Sequence, residues 1–232
     1  MKTPWPEKLR LLILGILLLA GAGVLVKIIF TPKSTELQAQ PQITLPNSVP
    51  LSSGTLFSSR SLSSPFDQEI HSLADQAYQY QIVLEQNFQL QPTLQVHYIV
   101  RSTGDVKRYV KQAFSLPSQA GKSELKHNLF GDYLQILESD QLQFSTCLDP
   151  YGRSTVSIRD YQGNRNFRDI RYRLLPWLLG APLKDERCLF TTLTIALEPK
   201  DLPTLEPPLE SLWQDWCQWW INNFPEYRSQ EG

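Results

Sequence analysis

Residues Leu11 to Phe30 read LLILGILLLAGAGVLVKIIF, an apolar run interrupted by one charge, Lys27. As a helix rising about 1.5 Å per residue, such a run spans roughly 30 Å, the thickness of a hydrocarbon core. Lys27 lies near the far end, where its ammonium can extend to the headgroups at less cost than a charge at the midplane. A water-soluble chain would have to bury this segment on all sides, and the Pro- and Ser-rich stretch after it is poorly placed to do so. The sequence therefore predicts a single transmembrane anchor. Lys2, Lys8 and Arg10 precede the run while Lys33 and Glu36 follow it, so the positive-inside rule keeps the N-terminus cytoplasmic and exports the rest. Ala20-Gly21-Ala22 offers a signal peptidase its small residues. The apolar run continues past that point to Phe30, longer than an ordinary signal core, which favours a retained anchor over a cleaved one.

The expected organisation is a cytoplasmic tail at 1–10, the anchor at 11–30, a flexible linker at 31–43 and an exported globular domain at 44–232. The implied location is the plasma (inner) membrane with the domain periplasmic. With 41% hydrophobic residues and six Trp, the chain has ample material for a core. Residues 31 to 65 are rich in Pro, Ser, Thr and Gln, which suits a spacer. Within that stretch Ile43, Leu45, Val49, Leu51, Leu56 and Phe57 recur among prolines, as in an extended segment laid over a domain edge. Beyond the first thirty residues, which hold four Lys/Arg and one Glu, the net charge is −4, so nucleic acid is not an expected partner.

Tyr78–Glu85 and Thr93–Arg101 read as an antiparallel hairpin with a polar turn around Gln86-Asn87, Leu94, Val96, Tyr98 and Val100 alternating onto one face. Asp105 is placed to cap a short helix carrying Val106, Tyr109, Val110 and Phe114. Further strands are expected at Tyr133–Leu137, Leu142–Leu148 and Arg187–Leu197. Leu209, Leu212, Trp213, Trp216, Trp220 and Phe224 recur at three- and four-residue steps, giving a C-terminal amphipathic helix whose apolar face covers the sheet or docks on a membrane partner. The predicted fold class is α+β: an N-terminal transmembrane helix, then an antiparallel sheet of about five to seven strands, one face covered by the C-terminal helix and the shorter helix.

Cys147 and Cys188 each fall in an expected strand, and export would place them where disulfides persist, so a bridge between them is the favoured reading. Cys217, between Trp216 and Trp220, reads as a small buried hydrophobe. His71, His97 and His127 are the only histidines, and none stands in a motif that suggests a Cys-His couple. No zinc-type spacing, nucleophile elbow, P-loop or dinucleotide fingerprint occurs. The expectation is no enzyme, no cofactor and no metal. Arg159, Arg165, Arg168, Arg171 and Arg173 crowd together with Tyr161, Phe167 and Tyr172. Arg165, Arg168, Arg171, Arg173 and Tyr172 form a candidate patch for a glycan phosphate, a lipid headgroup or an acidic partner. The competing reading, with Asp160 and Asp169 in the same stretch, is a solvated face of alternating charge on a β-ribbon or loop.

Taken together, GDVKRYV (Gly104–Val110), CLDPYGRSTVS (Cys147–Ser157), RLLPWLLG (Arg173–Gly180), DERCLF (Asp185–Phe190) and WQDWCQWW (Trp213–Trp220) resemble the cyanobacterial proteins described as cyanoexosortase A system-associated. The resemblance implies a companion of exosortase, the multi-pass membrane transpeptidase linked to exopolysaccharide production, with that enzyme or its sorted substrates as partners. It carries over a role and a location but no catalytic residues. The alternative from the residues alone is an exported module that binds an anionic glycan or a lipid headgroup in exopolysaccharide assembly.

Overall fold

In a computed structural model of the chain, the described residues are 7–30, 45–46, 48–52, 54–62, 74–84, 91–114, 122–138, 140–178, 184–196 and 202–225, with some positions inside helices and strands described by backbone alone. The expected linker at 31–43, the domain start at Thr44, the turn at Gln86-Asn87 and His71 lie outside the described residues. The chain divides into two units, Met1–Gln40 and Pro41–Gly232.

In the first unit the apolar run is helical over α1 (Glu7–Phe30). Its side chains point outward: Leu11, Leu18 and Leu19 are 68%, 73% and 76% exposed. The side chains beyond Gly23 are outside the described set, and among the described residues no helix is long and apolar enough to cross a membrane. What is established for the expected anchor is thus an α-helix.

The second unit is an α+β domain. Its strands are β1 (Gly54–Leu62), β2 (Ala74–Leu84), β3 (Thr93–Ile99), β4 (Lys122–Asn128), β5 (Gly131–Glu138), β6 (Gln141–Leu148), β7 (Ser154–Thr155) and β8 (Cys188–Ala196), with helices α2 (Val106–Phe114), α3 (Ile158–Leu178) and α4 (Leu202–Asn222). The eight strands form one sheet in the order β1-β2-β3-β8-β6-β7-β5-β4, with β6 also pairing β5. All pairings are antiparallel except the short one of Gly131 with Ser154. The late strand β8 enters the middle, pairing Val96 with Thr191 on one side and Thr146 with Thr191 on the other.

Alternation along the central strands sorts their side chains to two faces. One face carries Leu94, Val96 and Tyr98 of β3, Phe144 of β6 and Leu189 and Leu193 of β8, and packs on Leu209, Leu212, Trp213, Trp216 and Trp220 of α4. The opposite face carries Ile99, Leu134, Cys147, Cys188 and Phe190, and packs on Val106, Tyr109 and Val110 of α2 and Tyr161 of α3. Both helices were expected on one face. They take opposite faces because β3, β6 and β8 are buried on both sides, and a sheet buried on two faces needs two layers of cover.

The expected hairpin, the Asp105 cap and the aromatic C-terminal helix are all present. Asp105 Oδ1 accepts the Arg108 N–H at 3.1 Å. Helix α4 extends back from Leu209 to Leu202 through Pro207 and Pro208, which lack the amide hydrogens that would bond the carbonyls four residues earlier. It is oriented by polar contacts at the far side of the sheet: Tyr133 donates to Glu210 at 2.9 Å, Gln135 to Glu206 at 3.2 Å, and Lys126 meets Glu206 at 3.5 Å. At its other end Arg187 holds both carboxylate oxygens of Asp185, at 2.7 and 2.6 Å, and donates to the Pro225 carbonyl at 2.8 Å. The segment before β1 joins the core as expected: Leu45 and Val49 are buried, and Tyr80 donates to the Pro46 carbonyl at 2.8 Å.

Cys147 and Cys188 lie at disulfide-bonding distance as expected, with their Cα atoms 5.7 Å apart and a sequence separation of 41. In the chain-entropy picture a loop of that length stabilises by about 4 kcal/mol. Replacing both cysteines with Ala should lower the stability of the full chain by about 3–4 kcal/mol in urea unfolding followed by circular dichroism. Dithiothreitol should then destabilise the native chain but not the variant. Equal sensitivity of the two to reductant would show that the pair is not bonded.

Trp216 donates to Thr191 Oγ1 at 2.6 Å, and Thr191 donates onward to the Gln95 carbonyl at 3.0 Å, so one chain of bonds joins α4 to β8 and β3. Its ring also meets Tyr80 edge-on at 5.3 Å. Trp216→Phe keeps most of the apolar contact but removes the donor, and should cost about 1–3 kcal/mol. Trp216→Ala should cost about 3–5 kcal/mol. The same unfolding measurement reads both, and an unchanged stability in Trp216→Phe would mean the indole N–H contributes nothing.

Candidate functional site

The arginine-rich segment lies on α3, not on the β-ribbon or loop the charge alternation suggested. Ser157 caps the helix: its hydroxyl accepts the Asp160 N–H at 3.1 Å and donates to the Asp160 carboxylate at 2.6 Å. Tyr161 then anchors the inner face, buried, with its hydroxyl on the Arg187 carbonyl at 2.9 Å. Gly104 is required beneath it. Its φ of 76° suits glycine, and a Cβ there would overlap the Tyr161 ring.

Once the segment is helical, its arginines separate by direction. Arg165 turns inward, 7% exposed, over the Tyr161 ring and paired with Glu186 at 3.3 Å. Arg168 donates to the Tyr151 carbonyl at 2.7 Å with its guanidinium 5.6 Å from the Tyr151 ring centroid. Arg171 lies 5.3 Å from the ring centroid of Tyr172, which is 61% exposed. The side chains of Arg173 and Phe167 are outside the described set. Arg159 borders a different groove, of about 430 Å³, beside Ile158 and Leu125.

Arg153, which the charge pattern alone did not single out, completes the group. It sits in the turn between β6 and β7. There Asp149 accepts the N–H groups of Tyr151 and Arg153, both at 2.9 Å, and Gly152 takes a φ of 82°. Its guanidinium reaches Asn164 Oδ1 at 3.5 Å. The turn is therefore built by a buried carboxylate. Burial pushes the Asp149 pKa up, while the two N–H bonds and the charges of Arg168 and Arg153 pull it down.

The result is a groove of about 440 Å³ lined by Arg153, Gly163, Asn164, Arg168, Arg171 and Tyr172. Asn164, Arg168 and Tyr172 stand four residues apart, on one stripe of α3. A second groove of about 480 Å³ shares Arg153, Asn164 and Arg168 and runs over Gly131 and Ser154 toward Asp132 and His127. His127 is occupied by Asp132 at 2.8 Å. Of the expected patch, the structure thus brings Arg168, Arg171 and Tyr172 together and diverts Arg165 to an ion pair. Arg153 was signalled by the turn residues Asp149-Pro150-Tyr151-Gly152 before it, and Asn164 by its four-residue spacing from Arg168, once the segment is known to be a helix.

Among the described residues, no group of three or more His, Cys, Asp or Glu is placed to hold a metal ion. Cys217 is enclosed by the tryptophans of α4, and burial pushes its thiol well up, which disfavours the reactive thiolate. The chain matches no known family model, no curated protein and no solved structure.

His97 is buried on the α2 side of β3, 5.7 Å from the Phe190 ring, and burial lowers its pKa to about 4. It therefore stays neutral in the fold where the unfolded chain, titrating near 6.5, already binds a proton. Between about pH 6.5 and 4 the unfolded state takes up more protons, so stability falls as pH falls, by an amount on the order of 3 kcal/mol across the window. His97→Phe should flatten that slope in unfolding measured at pH 7 and pH 4.5. An unchanged slope would place the acid sensitivity elsewhere.

Proposed function

We propose that this protein is a membrane-anchored accessory protein of an exosortase-type system, working through binding on the exported side rather than through chemistry of its own. The observation that carries the anchor is α1. It is a 24-residue helix, and its described leucine and isoleucine side chains from Leu9 to Leu19 face outward. A helix of that length reaches about 36 Å, and outward apolar side chains along it call for a lipid or protein environment. The disulfide across β6 and β8 supports export, because such bonds persist outside the reducing cytoplasm. The partner class comes from the sequence resemblance. Confinement of both proteins to one membrane raises their effective concentration, so a weak contact by the exported domain suffices for association.

The anchor is tested by alkaline carbonate extraction of host membranes. The native chain should stay in the pellet, and a variant with Leu14, Leu18 and Leu19 changed to Lys should be released. The role is tested by proximity labelling in the host with the labelling enzyme fused after Gly232. Enrichment of the exosortase or its sorted substrates is expected. Labelling confined to polysaccharide-assembly proteins would replace this reading with a glycan-binding one.

A further inference from the structure

We infer that the groove formed by Arg153, Asn164, Arg168, Arg171 and Tyr172 is a binding site for an acidic saccharide, its anionic group held by the guanidinium groups and its ring laid on Tyr172.

The first argument is electrostatic. Three arginines line one groove of about 440 Å³, and no carboxylate stands among the described residues lining it. Beyond the first thirty residues the chain carries a net charge of −4, so acidic residues to neutralise the cluster are in supply. The buried Asp149 carboxylate attracts Arg153 and Arg168 from behind the turn, and three cations against that one anion leave an excess of positive charge on the open side of the groove. An anion entering the groove offsets that excess and accepts charge-assisted bonds from planar donors suited to carboxylate and phosphate.

The second argument is that the arginines are held in place before any ligand arrives. Arg168 is fixed by the Tyr151 carbonyl and ring, while the Asp149-built turn fixes the Arg153 backbone and leaves its exposed guanidinium in a long 3.5 Å contact with Asn164. Arg171 rests against Tyr172. Groups already ordered lose little further freedom on binding, so more of the interaction appears as affinity.

The third argument selects the ligand class. Extended peptides are held by a strand edge and helical peptides by an apolar groove, and this groove is lined by neither. Its volume falls in the range of small-molecule sites. The exposed Tyr172 ring adds an apolar face with a polar tip beside the cations, as suits a sugar that is apolar across its ring and polar at its rim. The anionic group is either a uronate carboxylate or a sugar phosphate, and both present the same chemistry to the guanidiniums.

This inference is independent of the exosortase reading, since it is measured on the purified chain alone. The full chain in detergent is titrated by calorimetry with an oligogalacturonate, with glucose 1-phosphate, with a neutral cello-oligosaccharide and with inorganic phosphate. Saturable binding of the uronate or of the sugar phosphate is expected, and which of the two binds tighter identifies the source of the charge. Arg153 and Arg171 are both exposed, so the Arg153→Gln, Arg171→Gln double variant should remain folded by circular dichroism and bind at least tenfold more weakly. Tyr172→Ala should weaken the saccharide but leave inorganic phosphate unchanged. The inference is overturned if the neutral oligosaccharide binds as well as the acidic ones, or if the double variant binds them normally. It is equally overturned if neither acidic saccharide binds, and a poly-glutamate peptide binding in their place would assign the groove to an acidic protein segment.

Discussion

Strand β8 is the element on which the domain's assembly turns. It comes late in the chain, yet it lies between β3 and β6, so the first hairpin and the β4–β6 meander become one sheet only when it inserts. Its side chains alternate between the two cores: Leu189 and Leu193 go under the tryptophans of α4, while Cys188 and Phe190 go toward α2. The disulfide starts at its first residue, and Thr191 at its centre receives Trp216 and donates to β3. From Leu189 to Leu193 the strand is buried on both faces and paired on both edges, so that stretch leaves little backbone or apolar surface to water. A one-residue slip in its register would send Leu189 and Leu193 to the wrong core.

The arginine groove depends on this arrangement at one remove. Helix α3 is held down by Tyr161, whose hydroxyl bonds the Arg187 carbonyl immediately before β8. The Arg153 turn follows directly from β6, with the Asp149 carboxylate closing it. Helix and turn thus meet at a defined distance because both are attached to adjacent strands of the same sheet. The charged surface is exposed, but the elements that present it are fixed by buried contacts, which is how a rigid scaffold usually carries a site.

Legibility in the sequence followed burial. The strands with strong apolar alternation, β3, β6 and β8, and the helix with a thick aromatic stripe, α4, were readable because packing imposes a period on the residues it buries. The edge strands β1 and β4 were not. GTLFSSRSL looks like part of a spacer and KSELKHN like a solvated loop. An edge strand is free to be polar, and lysines such as Lys122 and Lys126 discourage pairing with another chain. Helix α3 was missed for a related reason. It buries little beyond Tyr161 and Arg165 among its described side chains, and Gly163, Asn164 and Asn166 are weak helix formers. Its arginines were visible as a cluster, but which of them share a groove was not, because a charge pattern has no direction until the backbone is assigned.

The sequence by itself determined the apolar N-terminal helix-forming run, the α+β class and the burial of the aromatic face of α4. Each rests on local composition or periodicity, which tertiary context seldom reverses. Only the tertiary structure decided that β8 enters the middle of the sheet, that α2 and α4 cover opposite faces, and that Arg165 is spent on Glu186 while Arg153 joins Arg168 and Arg171. Those outcomes depend on contacts between residues far apart in the chain, such as Thr191 with Trp216 and Arg153 with Asn164. No local pattern records them, because the energy that selects them appears only when the distant pieces meet.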